Sequence, residues 1–326
     1  MNPCDIILID DEKRGLLMEH IGVKKRNKFR KNTLIFIWAM LALPLLQWIV
    51  FWLMVNIESI KLAFLDARTD TFSYQNFIYV WDSLTNTTGA ETINIALKNT
   101  LKYFASSLLI INPISLLIAY FIYKQIFGYK VFRIIFYLPM IVSSVVMVSV
   151  FREVINPGGF VDALLKLFNS SVPEKGWLAD PSTATTTILF FTIWTGFASN
   201  MLLFLGALTR VPDEILEAAK LDGCPPFVEL VRIILPLILP SMVTVTIVTS
   251  TNIFNSSGPI LLFTAGDYKT TTISYWIFEM IYDGTGGGSV ENYNFVSCAG
   301  LCFTLVGIPF ILAIRYLMDK IPAVEY

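Results

Sequence analysis

Residues 217–236 read EAAKLDGCPPFVELVRIILP, a polar, gently amphipathic segment set between two strongly apolar stretches, and its reading decides the fold. Glu217, Ala218 and Ala219 are followed, after three residues, by Gly223; Ile233, Leu235 and Pro236 close the pattern. Glycine reaches backbone angles closed to other residues, so two short helices can meet at Gly223 at a sharp angle. Pro225 and Pro226 suit the first turn of the second helix, where a missing N–H costs little. From the residues alone, the segment is a helix-turn-helix lying on a membrane surface.

Composition places the rest of the chain in the bilayer. Apolar residues make up 55% and charged residues only 15%, and the mean hydropathy of +0.64 lies outside the soluble range. Six stretches are long and apolar enough to serve as spans: about 33–56, 103–123, 134–151, 184–208, 233–263 and 295–314, each free of Asp, Glu, Lys and Arg. An even number of spans puts both ends on one side. With that side cytoplasmic, 16 of the 24 Lys and Arg lie inside and 8 outside, while the 25 acidic residues divide 12 inside to 13 outside. Basic residues decide topology, so the 209–236 loop is expected to face the cytoplasm. The cluster Lys24, Lys25, Arg26, Lys28, Arg30 and Lys31 precedes the first stretch, which is too long for a secretory signal core and is read as a retained anchor.

The 217–236 pattern resembles the coupling loop in the membrane subunits of bacterial ATP-driven (ABC) importers. The likeness extends to the maltose-type carbohydrate importers from about residue 94 to the last helix. It is carried by IALKNTLKYF at 95–104, FRIIFYLP at 132–139, IVSSVVMVSVFREVINPGGFVDALL at 141–165, WLADP at 177–181, IWTGFASNMLLFLGALTRVPDEILEAAKLDG at 193–223 and LFTAGDYKTTT at 262–272. The last of these departs from the glycine-glycine-proline usual after the threonine, reading Ala265-Gly266-Asp267. The C-terminal sequence lacks the glycine-rich tail of the second permease type, so the chain resembles the first, maltose-F-like partner.

What the resemblance implies is an all-α membrane protein with six transmembrane helices, a type I ABC importer permease fold with a cytoplasmic coupling helix. The expected organisation is a basic cytoplasmic tail at 1–32, a first helix at 33–56 and an external loop at 57–95. A transport core follows at 96–318, with helices near 96–123, 133–152, 184–208, 233–263 and 295–316, and a cytoplasmic end at 319–326. Glu217, Ala218, Ala219, Asp222 and Gly223 would couple to ATPase subunits. The implied partners are a second permease, the ATPase subunits, an extracytoplasmic solute-binding protein and a sugar. ATP and Mg would be bound by the partner ATPase, with no cofactor on this chain. The setting is the bacterial cell membrane.

The same resemblance places a sugar against the helices before and after the coupling loop, at Thr195, Gly196, Ser199, Thr251, Asn252, Asn255 and Ser256. Asn252 and Asn255 are three apart and share a helix face, and amides both donate and accept, as a hydroxylated ligand requires. The alternative role for intramembrane Asn, Ser and Thr is hydrogen bonding between helices. The run Thr249 to Ser257, followed by Gly258 and Pro259, is polar enough to favour a cavity.

Several function classes fall away. The single histidine, His20, lies in the N-terminal tail, and Cys298 and Cys302, one helical turn apart, have no His or carboxylate beside them in sequence, so neither a metal site nor a catalytic site is expected. The run Asp283 to Gly288 lacks the order of a phosphate-binding loop and reads as a flexible external loop. A secondary transporter should carry intramembrane carboxylates, and the six stretches have none. The alternatives kept are the same importer fold serving a peptide or an amino acid and, behind it, a secondary transporter. Nothing in the sequence points to nucleic acid.

Overall fold

The computed structural model describes residues 31, 33–66, 69–85, 90–254, 258–282 and 290–320. Asn255 and Ser256, the N-terminal tail to residue 30, the 283–288 loop and residues 321–326 lie outside that set. The chain divides into two compact units, 1–61 and 62–326. Helix α1, Thr33–Ala63, has the apolarity and length to cross a bilayer. Within it Trp48 and Trp52 stack at 5.1 Å, beside a π-helical turn at Ile49–Leu53.

In the second unit, α2 (Gln75–Thr85) precedes α3 (Ile93–Tyr123). The apolar stretch 134–151, read from sequence as one span, is divided between α4 (Tyr129–Ile141) and α5 (Ser144–Ile155). Val142 and Ser143 between them are extended, with ψ of 141° and 137°. The β-branched pair Ile141-Val142 and the following serines are weak helix formers, and the helix restarts after them. A turn at 156–159 leads to α6 (Phe160–Lys166). Asp162 organises this turn, accepting from the Gly158 and Val172 amides at 2.9 Å each while Lys166 pairs with it.

Helix α7 (Ala184–Leu208) is followed by α8 (Asp213–Leu221) and by α9 (Pro226–Leu237), which meets α10 (Leu239–Thr251) at a bend of 76°. The bend has a direct cause in the residues LPLILP at 235–240. Pro240 has no N–H to offer the carbonyl of Pro236, so the ladder fails between the two prolines and the chain turns at Ile238. The stretch 233–263 is therefore a bent pair of helices and not one straight run. It continues through α11 (Ile260–Phe263) and α12 (Ile273–Tyr282) to α13 (Val290–Asp319). Among the described residues five segments have the length and apolarity to cross a bilayer, and the bent pair, taken as one span, makes a sixth. Among the described residues no strand forms; Leu65 and Phe72 make an isolated bridge.

Three apolar clusters hold the second unit. One joins Leu116, Ala119 and Tyr120 of α3 to Met201, Phe204 and Leu208 of α7 and to Leu216, Leu230 and Ile234 beyond it. A second holds Cys298 against Ala299, Trp276 and Ile273, so this thiol packs as a small apolar side chain. A third is aromatic, built on Tyr103, Phe151, Phe191 and Phe263.

Candidate functional site

The E-A-A…G spacing has a physical meaning at the end of α8. Gly223 has φ +69°, its N–H donates to the carbonyl of Lys220 at 3.1 Å, and the N–H of Cys224 donates to Ala219 at 2.9 Å. This is the Schellman pattern, in which a left-handed residue folds the chain back over the last helical carbonyls. Ala219 supplies the carbonyl that the closing amide needs. Leu216 and Ala219 are buried, while Glu217, Ala218, Asp222 and Gly223 are exposed. Leu221 and Phe227 stand on either side of Gly223 with 89% and 72% of their surface uncovered, which makes the turn an apolar knob with an acidic flank.

The loop is anchored to the end of α3. The hydroxyl of Tyr120 donates to the carbonyl of Pro226 at 2.9 Å, and Lys124 forms an ion pair with Glu229. The Glu229 side chain is 4% exposed and that of Lys124 21%. The ammonium also lies 5.9 Å from the centre of the Tyr120 ring. Neither Tyr120 nor Lys124 stands out in the sequence as part of the loop machinery.

A cavity of about 230 Å³ opens between α3, α7 and α10. Gly196 and Asn252, two of the path residues expected from sequence, line it together. Thr195, Ser199 and Thr251 do not, and the hydroxyls of Thr195 and Thr251 donate to the carbonyls of Phe191 and Val248 in their own helices. The cavity wall also contains Tyr103, Ser107, Thr192, Asn200 and Thr249. The hydroxyl of Tyr103 is buried near Thr192 of the same wall. The Asn252 amide donates to Val248 at 3.1 Å, which leaves its carbonyl oxygen able to accept. Among the described residues no Asp, Glu, Lys, Arg or His side chain lines this space, so it would hold a hydroxylated ligand through amides and hydroxyls and not through charge.

Close approach of α3 and α7 shapes the cavity. A Cβ added to Gly196 would lie 3.1 Å from Ile111 Cδ1, so glycine is what lets the helices meet there. Ser115 donates to the carbonyl of Phe197 at 3.0 Å, and Asn200 donates to the side-chain oxygen of Asn112 at 2.7 Å. At this level α3 has a π-helical turn, Ser107–Ile111, both ends of which face the cavity. Pro113 follows, unable to donate within the helix, and such π-turns recur at functional sites. Gly258, at φ +55°, approaches the Tyr103 ring, with an added Cβ 3.6 Å from it. The same α3 thus touches the cavity at Tyr103 and the loop at Tyr120 and Lys124, roughly 25 Å apart at 1.5 Å rise per residue.

The family model for the inner membrane component of binding-protein-dependent transport systems matches residues 111–321. The maltose/maltodextrin transport system permease protein MalF of Escherichia coli K12 is 30% identical over 189 residues, covering 55% of this chain and 36% of MalF. The corresponding protein of Vibrio parahaemolyticus is 29% identical over 202 residues, covering 58% and 37%. The chain thus aligns with little more than a third of the length of these relatives. Among solved structures, a chain of a bacterial ABC transporter for import of the acidic polysaccharide alginate superposes with a TM-score of 0.74 at 21% identity, covering 90% of this chain and 98% of that one. A second structure of an alginate transporter, in complex with a pentasaccharide-bound periplasmic protein, gives 0.74 at 22% identity, covering 92% and 99%.

Proposed function

We propose, from the premise that this chain belongs to the family of binding-protein-dependent transport system inner membrane components, that it is one of two permease subunits of an ATP-driven sugar importer. It is a multi-pass membrane protein, and the excess of Lys and Arg supports cytoplasmic ends and a cytoplasmic 209–236 loop. The observation that carries the reading is the Schellman-capped turn at Gly223, presented outward yet tied to α3 by Tyr120 and Lys124. Closure of ATPase subunits around bound ATP and Mg pushes on Leu221 and Phe227, with Glu217 and Asp222 supplying charge and Ala218 a small contact. Helix α3 then conveys the movement to the cavity. Residues 96–318 form the transport core in this reading, and hydrolysis belongs to the partner subunits.

A sugar is supported by the maltodextrin and alginate for which the similar proteins are named and by the amides and hydroxyls of a cavity without charge. Gly196 and Asn252 hold the ligand there, Thr195, Ser199 and Thr251 extend the path along the same helices, and Asn255 and Ser256 are assigned to it from the sequence alone. A solute-binding protein delivers the sugar at the opposite face. Alternation between inward-open and outward-open arrangements moves it across, without covalent chemistry on this chain.

Assembly is the direct test. The purified chain alone is expected to show no ATPase activity, whereas co-expression with a second permease and ATPase subunits should yield a monodisperse complex whose hydrolysis responds to the loaded binding protein. A lone chain that moves sugar in proteoliposomes would refute the assignment.

Asn252→Leu tests the path. Unpaired ligand hydroxyls cost about 1–3 kcal/mol each, so sugar uptake should fall about tenfold or more, while assembly and basal hydrolysis survive. If the variant fails to assemble and the assembled fraction transports normally, Asn252 is a helix-packing residue.

A further inference from the structure

A second cavity, of about 200 Å³, lies at the end of the unit opposite the 209–236 loop, between the end of α5, the turn before α7 and the loop after α11. Its walls include Arg152, Asn156, Lys175, Trp177, Phe263 and Tyr268. Two cations, an amide and a phenol therefore line one space with aromatic surface, and among the described residues no carboxylate lines it. Neither Arg152 nor Lys175 has an ion-pair partner among the described residues; Arg152 reaches only the carbonyl of Leu262, at 3.4 Å. Glu153, next to Arg152 in α5, lines an adjoining cavity with Arg152 and Asn156, and Asp180 follows Ala179 of the wall. Hydrogen bonds from the amide and hydroxyl of Ser182 hold its pKa low, with the charge of Lys175 a lesser cause.

The wall that carries Tyr268 is held in an unfavourable backbone. Ala265, Tyr268 and Lys269 have φ of 51°, 56° and 60°, angles costly for side chains with a Cβ and maintained only where surroundings over-determine them. Those surroundings are present. Asn99 donates to the carbonyls of Lys269 and Thr271 at 2.8 and 2.9 Å, Thr185 donates to Lys269 at 3.2 Å, and Thr271 donates to Gly266 at 2.9 Å. These hydrogen bonds maintain the strained backbone and fix Tyr268 at the rim. On the inner side, Phe263 packs edge-on to Phe191 at 5.0 Å and to Phe151 at 5.9 Å. Tyr103, which lines the first cavity, belongs to the same cluster. One aromatic layer thus separates a cationic entrance from the uncharged cavity.

We propose that this entrance cavity receives the carboxylate of an anionic saccharide, with Arg152 and Lys175 on the charge and Trp177 and Tyr268 against the sugar ring. The inference rests on the importer reading and narrows its substrate to acidic sugars. Guanidinium and ammonium groups strengthen hydrogen bonds to carboxylate, and aromatic rings give the apolar sugar face a surface to stack on. Charge recognition at the mouth, with none at the deeper cavity, lets an anion be selected without being trapped in a low-dielectric site.

The test measures uptake by the full complex in proteoliposomes with its solute-binding protein, using a short oligouronate and a neutral oligosaccharide of equal length. R152Q/K175Q is expected to lower the ratio of oligouronate to neutral uptake about tenfold, R152K/K175R to retain most of it, and added salt to reduce it in the unaltered complex. An unchanged ratio overturns the proposal. Equal loss of both sugars, with weaker binding of the solute-binding protein to the variant, assigns the cations to that protein's acidic surface and also overturns it. A complex that imports the neutral sugar and not the oligouronate overturns the proposal and leaves the importer reading intact. Uptake of neither sugar, with hydrolysis still stimulated by the binding protein, overturns the sugar reading itself.

Discussion

Lys124→Met is expected to destabilise the assembled complex by about 3 kcal/mol, because it leaves the Glu229 carboxylate buried without its counter-charge. Truncating one partner of a buried pair costs about 3–5 kcal/mol, and the partial exposure of Lys124, 21%, places this pair at the low end. The double variant Lys124→Met, Glu229→Met removes both charges and should return within about 1 kcal/mol of the unaltered complex, since apolar replacement of a whole buried pair is often neutral. Thermal denaturation of the purified complex gives both values. The charge-swapped Lys124→Glu, Glu229→Lys should recover part of the loss. A double variant as unstable as the single one would show that Lys124 acts through packing on Tyr120 and not through its charge.

Gly223→Val should abolish most ATP-driven uptake while the subunits still reach the membrane. No atom lies within 4 Å of the position a Cβ would take, so the penalty is conformational: φ +69° costs an L-residue about 1–2 kcal/mol, and β-branching adds to it. To escape that angle the chain must give up the two closing hydrogen bonds from Gly223 and Cys224. The apolar knob formed by Leu221 and Phe227 then loses its orientation. Gly223→Asn is the control, because asparagine tolerates left-handed angles and should keep most of the uptake. Glu217→Lys, at an exposed position, should also weaken coupling by reversing the charge offered to the ATPase. Measuring uptake and binding-protein-stimulated hydrolysis together is decisive. Full activity in the Val variant would mean that this turn is not the coupling element.

The sequence carried the lipid setting and the capped turn at Gly223 on its own, because both depend on local chemistry. Long uncharged stretches need no knowledge of the fold to be placed in a bilayer. A left-handed glycine four residues after Ala219 closes its cap with backbone groups only, so the E-A-A…G spacing contains the whole geometry. The bend at Ile238 was present in the same sense, as two prolines four residues apart, although hydropathy alone read across it. The break at Val142–Ser143 was harder to see, since weak helix formers inside an apolar run are often overridden by packing.

Packing between distant segments decided the rest. Tyr120 and Pro226 are 106 residues apart in sequence, and Lys124 with Glu229 only becomes a buried pair once the end of α3 is laid against α9. Asn200, Thr192 and Tyr103 entered the first cavity because Gly196 lets α3 and α7 close to contact distance. Arg152 and Lys175, on opposite sides of α6 in the sequence, line one pocket through the turn before α7 and a strained loop beyond α11. Local spacing dictates what a backbone segment can do by itself. Which side chains face one another across a cavity depends on long-range contacts whose free energies come from burial and hydrogen bonding between segments, and no window along the sequence contains both partners.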